Sequence, residues 1–455
     1  MKLLSLIKNY TVITLLNFYL SINILGFDKG SLGSMQLFAV FIICFFSLFW
    51  HMLTKRIVIK ISLIFLVVFS IYFILRILID TDDSSTLFSY TLGTTGGIFL
   101  FYVLGFLVRI SVRDIFAIAY LSKSIIIKLF ILFSTGYLLI NTLIFANVYS
   151  ELSNNLRNDI FLISNIQGLY QRPGNFMIIA SLITSLILFL IQLTLSVRSQ
   201  FYRRWMYLFL VIYSVNVLII LLSALSIGSN AGVVVVFSLW FATVITVLVL
   251  IQSGKNLMYV IEVNLTIRKW FSFKSLKRIS YALILTLLSV RLMIWILTEH
   301  LNIDIEKTRI YNFGSGGFNT SLESRIEILI NNFFIHWMYS PIFGNMDVDA
   351  RTTGVGSYAH SLLAYLLTHT GLIGFTMFFT YVFFAIKELI LSSTSSRESE
   401  NYRLSVSSLK LYSFVVLGIL FVYASIAVTV TWSPLWFAMG LLLPPVVFVP
   451  KTGGI

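Results

Sequence analysis

The sequence has 455 residues, of which 58% are hydrophobic and only 11% are charged. Soluble globular domains carry roughly 25% charged residues, so this composition excludes a soluble enzyme, a disordered chain and a nucleic-acid-binding domain. The net charge of +14 fits a membrane protein, because Lys and Arg are retained in its cytoplasmic segments. The single cysteine, Cys44, excludes a disulfide framework and a cysteine metal site.

Twelve apolar segments are long enough to predict membrane spans, since a span needs about 20 mostly apolar residues. In chain order they are residues 10–27, 34–53, 57–79, 87–108, 129–148, 174–197, 205–226, 232–252, 279–298, 360–386, 411–430 and 432–450. The basic, apolar N-terminus lacks a clear small-residue cleavage site, so it is interpreted as an uncleaved first span. The predicted fold class is an all-α polytopic membrane protein, with residues 1–455 forming a single transmembrane domain.

The charges divide sharply when the N-terminus is placed in the cytoplasm. The predicted cytoplasmic segments hold 23 Lys and Arg against 5 acidic residues, and the external segments hold 7 against 13. The remaining two basic residues, Arg76 and Arg291, lie inside spans. This partition predicts an even number of spans with both termini cytoplasmic, and it assigns the basic excess to topology rather than to nucleic acid.

Two external connections are long, at residues 149–173 and 299–359, and long loops in compact proteins are usually functional. In the second loop a Gly-, Ser- and Asn-rich stretch precedes Thr320 and Glu323, whose spacing matches a capping box. A helix is therefore predicted over residues 321–338, ending before Pro341.

That helix is predicted to be amphipathic. Four apolar residues at helical spacing form one stripe, and three polar residues form a second stripe about 100° away: Ile326, Ile330, Phe333 and Trp337, then Arg325, Asn332 and His336. We expect the helix to lie at the outer membrane surface with the polar stripe facing a cavity or water. A solvated polar face that binds no ligand fits the same pattern.

Among the five histidines, His360 has the most informative position, at the external start of the tenth predicted span. It is either a hydrated residue at the membrane interface or a functional group. His369, nine residues later, is interpreted as a packing residue. The histidines lack the spacing of a zinc motif, so no metal site is predicted.

Seven basic residues remain on the predicted external side and two lie within spans, against the general rule. Five of the arginines among them could converge on the outer side of the membrane: Arg76, Arg172, Arg291, Arg325 and Arg351. Such a cluster would suit a phosphate or pyrophosphate, because guanidinium is always charged and bonds two oxygens at once. Arg291 lies deep enough to require a bundle interior or a wet cavity, whereas Arg76 can extend to the membrane surface.

These residues resemble the signature of the O-antigen polymerase and O-antigen ligase superfamily, inner-membrane glycosyltransferases with a GT-C-type helical fold. His360 and the following Ser and Leu, with the Gly-x-x-Gly of residues 371–374, are similar to its "HS-x-x-L … G-x-x-G" motif. Residues 168–180 are similar to its "G … P-N-x-x-A" segment. The family often has a Ser-Arg pair near the end of a middle span, where this chain has Asn230.

The resemblance implies an inverting, metal-independent and cofactor-free transfer of a glycan from undecaprenyl pyrophosphate on the periplasmic face of the bacterial inner membrane. It implies His360 as the catalytic base or acceptor-orienting residue. It implies substrate contacts from arginines, with Arg351 a weaker candidate: Arg325, Arg291, Arg172, Arg351 and Arg76. The expected partners are the lipid-linked oligosaccharide, the bilayer and a chain-length regulator protein.

Three functions remain open at this point. A polymerase would join lipid-linked repeat units in surface polysaccharide and lipopolysaccharide biosynthesis, and it is favoured over a ligase that transfers the glycan to lipid A–core. A lipid-linked oligosaccharide flippase also fits twelve spans and intramembrane arginines. The absence of a visible internal repeat argues against a transporter.

Overall fold

The computed structural model describes residues 45, 49, 52, 53, 55–80, 101–110, 171–196, 203–226, 229–253, 291, 295, 299, 317–346, 348, 361–391, 400–428, 430, 432–443 and 445–450. These residues are mostly helical. The elements are β1 (Lys55–Ile59), α1 (Ile61–Asp80), α2 (Phe101–Ile110), α3 (Gln171–Ser196), α4 (Arg203–Ser226), α5 (Asn230–Ser253), α6 (Gly317–Tyr339), α7 (Leu362–Leu391), α8 (Glu400–Ala427), α9 (Ser433–Leu442) and β2 (Val446–Pro450).

Three helical segments among the described residues are long and apolar enough to cross a membrane: Ile61–Asp80, Leu362–Leu391 and Leu409–Ala427. They agree with the spans predicted at residues 57–79, 360–386 and 411–430. The helices α3, α4 and α5 also begin and end within three residues of predicted spans. The spans predicted at residues 10–27 and 129–148, and most of those at 34–53, 87–108 and 279–298, lie outside the described residues.

The prediction of a twelfth span at residues 432–450 is wrong. Residues 433–442 form the short helix α9, and residues 446–450 then form a strand that pairs antiparallel with β1. The all-α prediction therefore fails at this sheet. The run of Val, Phe and Pro favours a strand over a helix, and α9 is so fully buried that its apolar sequence reflects protein packing rather than contact with lipid.

Helices α1 and α7 pack antiparallel, as successive contacts along their length show. Ser62 meets Glu388, and the rings of Phe65 and Phe384 stack with centroids 4.8 Å apart. At mid-height the ring of Phe378 lies against the rings of Phe69 in α1, Phe421 in α8 and Trp436 in α9. This aromatic cluster joins four helices and defines a common level in the core.

Helix α9 forms the centre of the described bundle, and two glycines allow its close contact with α2. A Cβ at Gly105 would collide with the carbonyl of Phe437, and one at Gly440 would collide with the carbonyl of Tyr102. Small residues of this kind let the backbones of membrane helices approach closely. At the end of α9, Arg109 Nη1 donates to the carbonyl oxygens of Leu441 and Leu442 at 2.8 and 3.0 Å.

We call the end of the bundle that contains Lys60 and Glu388 the lower end, and the opposite end, which contains Asp80, the upper end. Glu388 accepts hydrogen bonds from the backbone N–H and hydroxyl of Ser62 at the start of α1, where a carboxylate suits the positive end of the helix dipole. Lys410 also lies at the lower end, donating to the carbonyl of Ile390 at 2.9 Å. The charge count placed all of these residues on the predicted cytoplasmic side.

Candidate functional site

Helix α7 is broken at Gly371, whose backbone has φ 62° and ψ −171°. That left-handed region is open to glycine but strained for residues with a Cβ. The Gly-x-x-Gly motif at residues 371–374 therefore has a structural explanation at its first position. Below the break, residues 372–391 continue alongside α1. Above it, residues 362–370 form a separate half-helix.

The upper half-helix of α7 turns towards α8. Ser361 Oγ donates to the carbonyl of Ser425 at 2.6 Å, and Ser425 is only four residues above Phe421, which lies at the level of Phe378. Four residues rise about 6 Å, whereas the 17 residues from Phe378 to Ser361 would rise about 25 Å in a straight helix. The half-helix must therefore lean over α8 instead of continuing along α1.

The backbone groups freed at the break are paired with residues 341–345. The N–H groups of Leu372 and Ile373 donate to the carbonyls of Pro341 and Ile342 at 3.0 and 3.1 Å. In return, the N–H of Asn345 donates to the carbonyl of Thr368 at 3.0 Å. Gly344, with φ 74°, packs directly against Gly371, and a Cβ on either glycine would overlap the other's backbone.

Arg76 and Asp80 hold the same loop to α1. Arg76 Nη2 lies 2.7 Å from Asp80 Oδ2 and donates to the carbonyl of Gly344 at 2.7 Å. Asp80 Oδ2 also accepts from the N–H of Met346 at 2.8 Å. The side chains of Arg76 and Asp80 are 13% and 6% exposed, so this ion pair is shielded from solvent. The substrate contact implied for Arg76 stays a prediction, and the structure adds a role in holding the loop.

Helix α6 turns His336 towards the protein. His336 is 1% exposed, whereas Ile330, Phe334 and Met338 are 64%, 60% and 67% exposed. Of the two surroundings expected for the polar stripe, a cavity or water, open water is therefore excluded for His336. His336 lies close enough to His369 of α7 for their charges to interact, so it lies on the side of α6 that packs against the broken helix.

His369 is buried, in agreement with its interpretation as a packing residue. Its ring stacks on Tyr365 with centroids 3.8 Å apart. Its Nδ1 lies 2.8 Å from the hydroxyl of Thr368. These contacts fix the imidazole beside the break in α7.

Helix α6 begins at Gly317 and ends at Tyr339. The predicted end before Pro341 is confirmed. The predicted start at residue 321 is wrong, because Thr320 lies within the helix rather than at its N-cap. Thr and Asn cost only a few tenths of a kcal/mol inside a helix, so the capping pattern does not prevent the helix from extending towards the N-terminus.

Two segments singled out in the sequence meet in the structure. Gly174, in the segment over residues 168–180, packs against the hydroxyl of Ser229, just before Asn230. Ser229 Oγ accepts from the N–H of Gly232 at 3.1 Å and so caps the start of α5. Position 174 needs glycine because a Cβ there would overlap the Ser229 hydroxyl.

The same region includes the beginning of α9. Trp432 Nε1 donates to Asn175 Oδ1 at 2.8 Å, and the ring of Trp432 lies 5.3 Å from that of Tyr423. Together with the bond between Ser361 and Ser425, these contacts connect the N-termini of four helices, α3, α5, α7 and α9, with α7 joined to the others through the C-terminal turn of α8. We call this region the N-terminal cluster. Helix N-termini carry partial positive charge and favour anions.

The N-terminal cluster is recessed below the top of α1. Counted from the aromatic level, α1 continues 11 residues to Asp80, which rise about 16 Å, whereas α8 continues only six residues to Ala427, or about 9 Å. Helix α9 begins only three residues above Trp436. A ligand at the cluster would therefore lie within the upper half of the bundle rather than on its surface.

The structure locates some of the predicted site residues, and others lie outside the described residues. Arg172 is the second residue of α3, and Arg325 lies on α6 eleven residues before His336. Arg291 is exposed, so its side chain is not packed in a bundle interior, and the wet cavity that was the alternative stays a prediction. His360 and Arg351 lie outside the described residues, although His360 directly precedes Ser361 in the sequence.

Sequence reasoning did not identify Tyr72, Asp80 or Trp432 as partners in this region. Asp80 is visible in hindsight as the acidic residue four positions after Arg76, a spacing that pairs charges on one helical face. Nothing in the sequence links Tyr72 or Trp432 to partners roughly 300 residues away. Within the described residues, no three His, Cys, Asp or Glu side chains come together as metal ligands do.

Comparisons with family models, with curated proteins and with solved structures found no match to this chain.

Proposed function

We propose that this chain is a membrane glycosyltransferase that polymerises lipid-linked repeat units of a surface polysaccharide. The observation that carries the proposal is the N-terminal cluster, where four helix N-termini are linked by contacts at a level below the top of α1. Such a site suits an anion attached to a membrane lipid. A glycan on undecaprenyl pyrophosphate has that combination of charge and lipid.

Two arginines on elements of this region support the choice of pyrophosphate. Arg172 lies at the start of α3, one of the clustered N-termini, and Arg325 lies on α6, whose buried residue His336 approaches α7. In this proposal Arg172, Arg325 and Arg291 contact the pyrophosphate or sugar, with weaker contributions from Arg351 and Arg76. They stabilise the charge of the leaving pyrophosphate without a metal, as preorganised cations do.

The proposed reaction is a single displacement on the predicted periplasmic side. The acceptor hydroxyl oxygen forms a bond to the anomeric carbon while the bond from that carbon to the pyrophosphate oxygen breaks. His360 takes the hydroxyl proton, for which a neutral imidazole is suited. Undecaprenyl pyrophosphate leaves, and the anomeric configuration inverts.

A ligase would use the same donor and chemistry with lipid A–core as acceptor. A flippase is the candidate from another class, and the broken helix α7 favours it, because transporters commonly bind substrates at discontinuous helices. The near-absence of charged residues from the cytoplasmic half of the predicted spans argues for the enzyme, since a transport path needs polar groups through both halves of the membrane.

The decisive experiment uses the purified full chain in proteoliposomes with undecaprenyl-pyrophosphate-linked repeat units. Longer lipid-linked products support the polymerase. Products that appear only when lipid A–core is added indicate the ligase. Lipid-linked sugar that crosses the bilayer without chain extension would contradict the enzyme and support the flippase.

Variants of the site test the assigned roles. His360→Ala and Arg325→Ala should each lower product formation by at least 100-fold, in the range typical of a lost general base or a lost charge contact. The matched controls are His51→Ala, at the cytoplasmic end of the second predicted span, and Arg397→Ala, in a predicted cytoplasmic segment. Full activity in both site variants, with normal yield of folded protein, would contradict the proposed site.

A further inference from the structure

Residues 341–344 and the C-terminal half of α6 have the properties of backbone immersed in hydrocarbon. Five consecutive carbonyl oxygens, from Ser340 to Gly344, each accept a hydrogen bond within the protein. Their donors are, in order, the N–H groups of Gly344, Leu372 and Ile373, the Tyr72 hydroxyl and Arg76 Nη2. Pairing of the carbonyls of irregular backbone is a requirement inside a bilayer, where no water can satisfy them.

The position of this loop along α1 indicates its depth. Tyr72 hydrogen-bonds the carbonyls of Phe343 and Thr370 at 2.7 and 3.0 Å. Tyr72 lies eight residues below Asp80, a rise of about 12 Å, in a helix of 20 residues that is long enough to span the hydrocarbon core. The loop therefore descends almost to the middle of α1.

Below the exposed Asn331, the outward surface of the segment is apolar. Phe334 and Met338 on α6, and Ile342 and Phe343 in the loop, are each more than half exposed, whereas His336 on the opposite side of α6 is buried. At the same depth, α1 exposes Ile71 and Leu75. The apolar surface of the loop thus continues the apolar surface of a helix that is long enough to span the membrane.

We infer that residues 330–344 form a re-entrant element that enters the outer half of the membrane and returns to the same side, with Phe334, Met338, Ile342 and Phe343 in contact with lipid acyl chains. The sequence predicted a helix that lies on the membrane surface. The hydrogen bonds to α1 and α7 place the following turn well below that surface. This inference does not depend on the proposed glycosyl transfer.

The test measures the depth of a spin label in lipid vesicles. Cys44→Ser provides a background without cysteine, since Cys44 is the only cysteine in the chain. A single cysteine then replaces Phe343, with Met338→Cys as a second position if Phe343→Cys does not fold. Collision of the label with oxygen, which partitions into lipid, is compared with collision with a water-soluble nickel chelate.

Two reference positions on α1 calibrate the result. Ile71→Cys marks the expected depth and Ile79→Cys marks the upper end of the helix, about 12 Å higher. Labels at Phe343 and Met338 should show the depth of Ile71 and an oxygen-to-nickel ratio several-fold above that at Glu327→Cys, an exposed charged position on α6.

Three outcomes would overturn the inference. A depth equal to that of Ile79 would place the loop at the membrane surface. High accessibility to the nickel chelate would place it in water. Low accessibility to both reagents would show that protein, such as a second copy of this chain, covers the face.

Discussion

At the lower end of the bundle, backbone groups are paired by a regular sheet and by side chains that cap helix ends. The strands β1 and β2 pair with each other, Glu388 caps the start of α1, and Arg109 caps the end of α9. At the upper end, irregular backbone of residues 341–345 pairs with a break in α7 and with side chains of α1. The lower end consists of regular, capped elements, whereas the upper end has two glycines with positive φ, a buried ion pair and clustered helix N-termini.

This difference supports placing the proposed site at the upper end. Irregular backbone inside a membrane is tolerated only where its polar groups are paired within the protein or meet water in a cavity. Arg76 and Arg172, two of the arginines that go against the charge partition, also lie towards the upper end. Substitutions at each end test the contrast between the two ends.

Gly371→Ala should prevent the upper end from assembling. The new Cβ would overlap the backbone of residues 342–344, and the residue would have to keep φ at 62°. Steric overlap and backbone strain together should cost more than 3 kcal/mol. The yield of monodisperse protein and its thermal midpoint measure the effect. Gly418→Ala is the matched control, because nothing lies within 4 Å of its added Cβ, and it should be neutral or slightly stabilising.

Breaking the ion pair between Arg76 and Asp80 should destabilise the upper end by about 3 kcal/mol, because the remaining residue would be an unpaired charge shielded from solvent. Asp80→Leu and Arg76→Met each test one side. The double variant should lose much less than the sum of the two, which a double-mutant cycle on thermal unfolding would show. Additive losses would mean that the pair contributes little beyond separate packing of each side chain.

Arg109→Leu should destabilise the lower end by about 2 kcal/mol, because it leaves the carbonyls of Leu441 and Leu442 without their donor in a buried position. The loss should leave the depth of a label at Phe343 unchanged, since the two ends are separate. Lys387→Leu, which removes an exposed cation from α7, serves as the control and should have little effect on the thermal midpoint.

Lys60 should make the stability of the lower end depend on pH. Burial, and then repulsion from Arg109, lowers the pKa of Lys60 to about 8, while Glu388 acts in the opposite direction. Between about pH 8 and the ordinary value of 10.5, the unfolded chain binds more protons than the folded one. Stability therefore rises with pH through this window, and the full destabilisation by the charged form is present below it.

Lys60→Met removes that dependence. It should raise the thermal midpoint at pH 7, by an amount equivalent to about 1 kcal/mol after allowance for solvent. The difference from the parent chain should shrink as pH rises from 8 to 10. A difference that stays constant over this range would show that Lys60 does not titrate as its surroundings indicate. Lys387→Met, an exposed lysine nearby, should show no such trend.

Much of the architecture follows from the sequence because it depends on local composition. The helices α1, α3, α4, α5, α7 and α8 match predicted spans, since about 20 apolar residues in a row leave few alternatives. The end of α6 before Pro341 is equally local, because proline disfavours helix in the residue before it. The failures are also instructive: residues 432–450 have the composition of a span but contain α9 and β2, so hydropathy did not distinguish lipid-facing from protein-buried apolar sequence.

The candidate site depends on contacts that no local pattern encodes. The glycines at 344 and 371 were visible in the sequence, but their meeting was not, and neither was the approach of Gly174 to Ser229 or of Asn175 to Trp432. The amphipathicity of α6 was predicted, whereas the direction of its polar side was decided by the packing of His336 beside His369. Helical periodicity fixes which residues share a face, and only the tertiary packing decides whether that face meets water, lipid or protein.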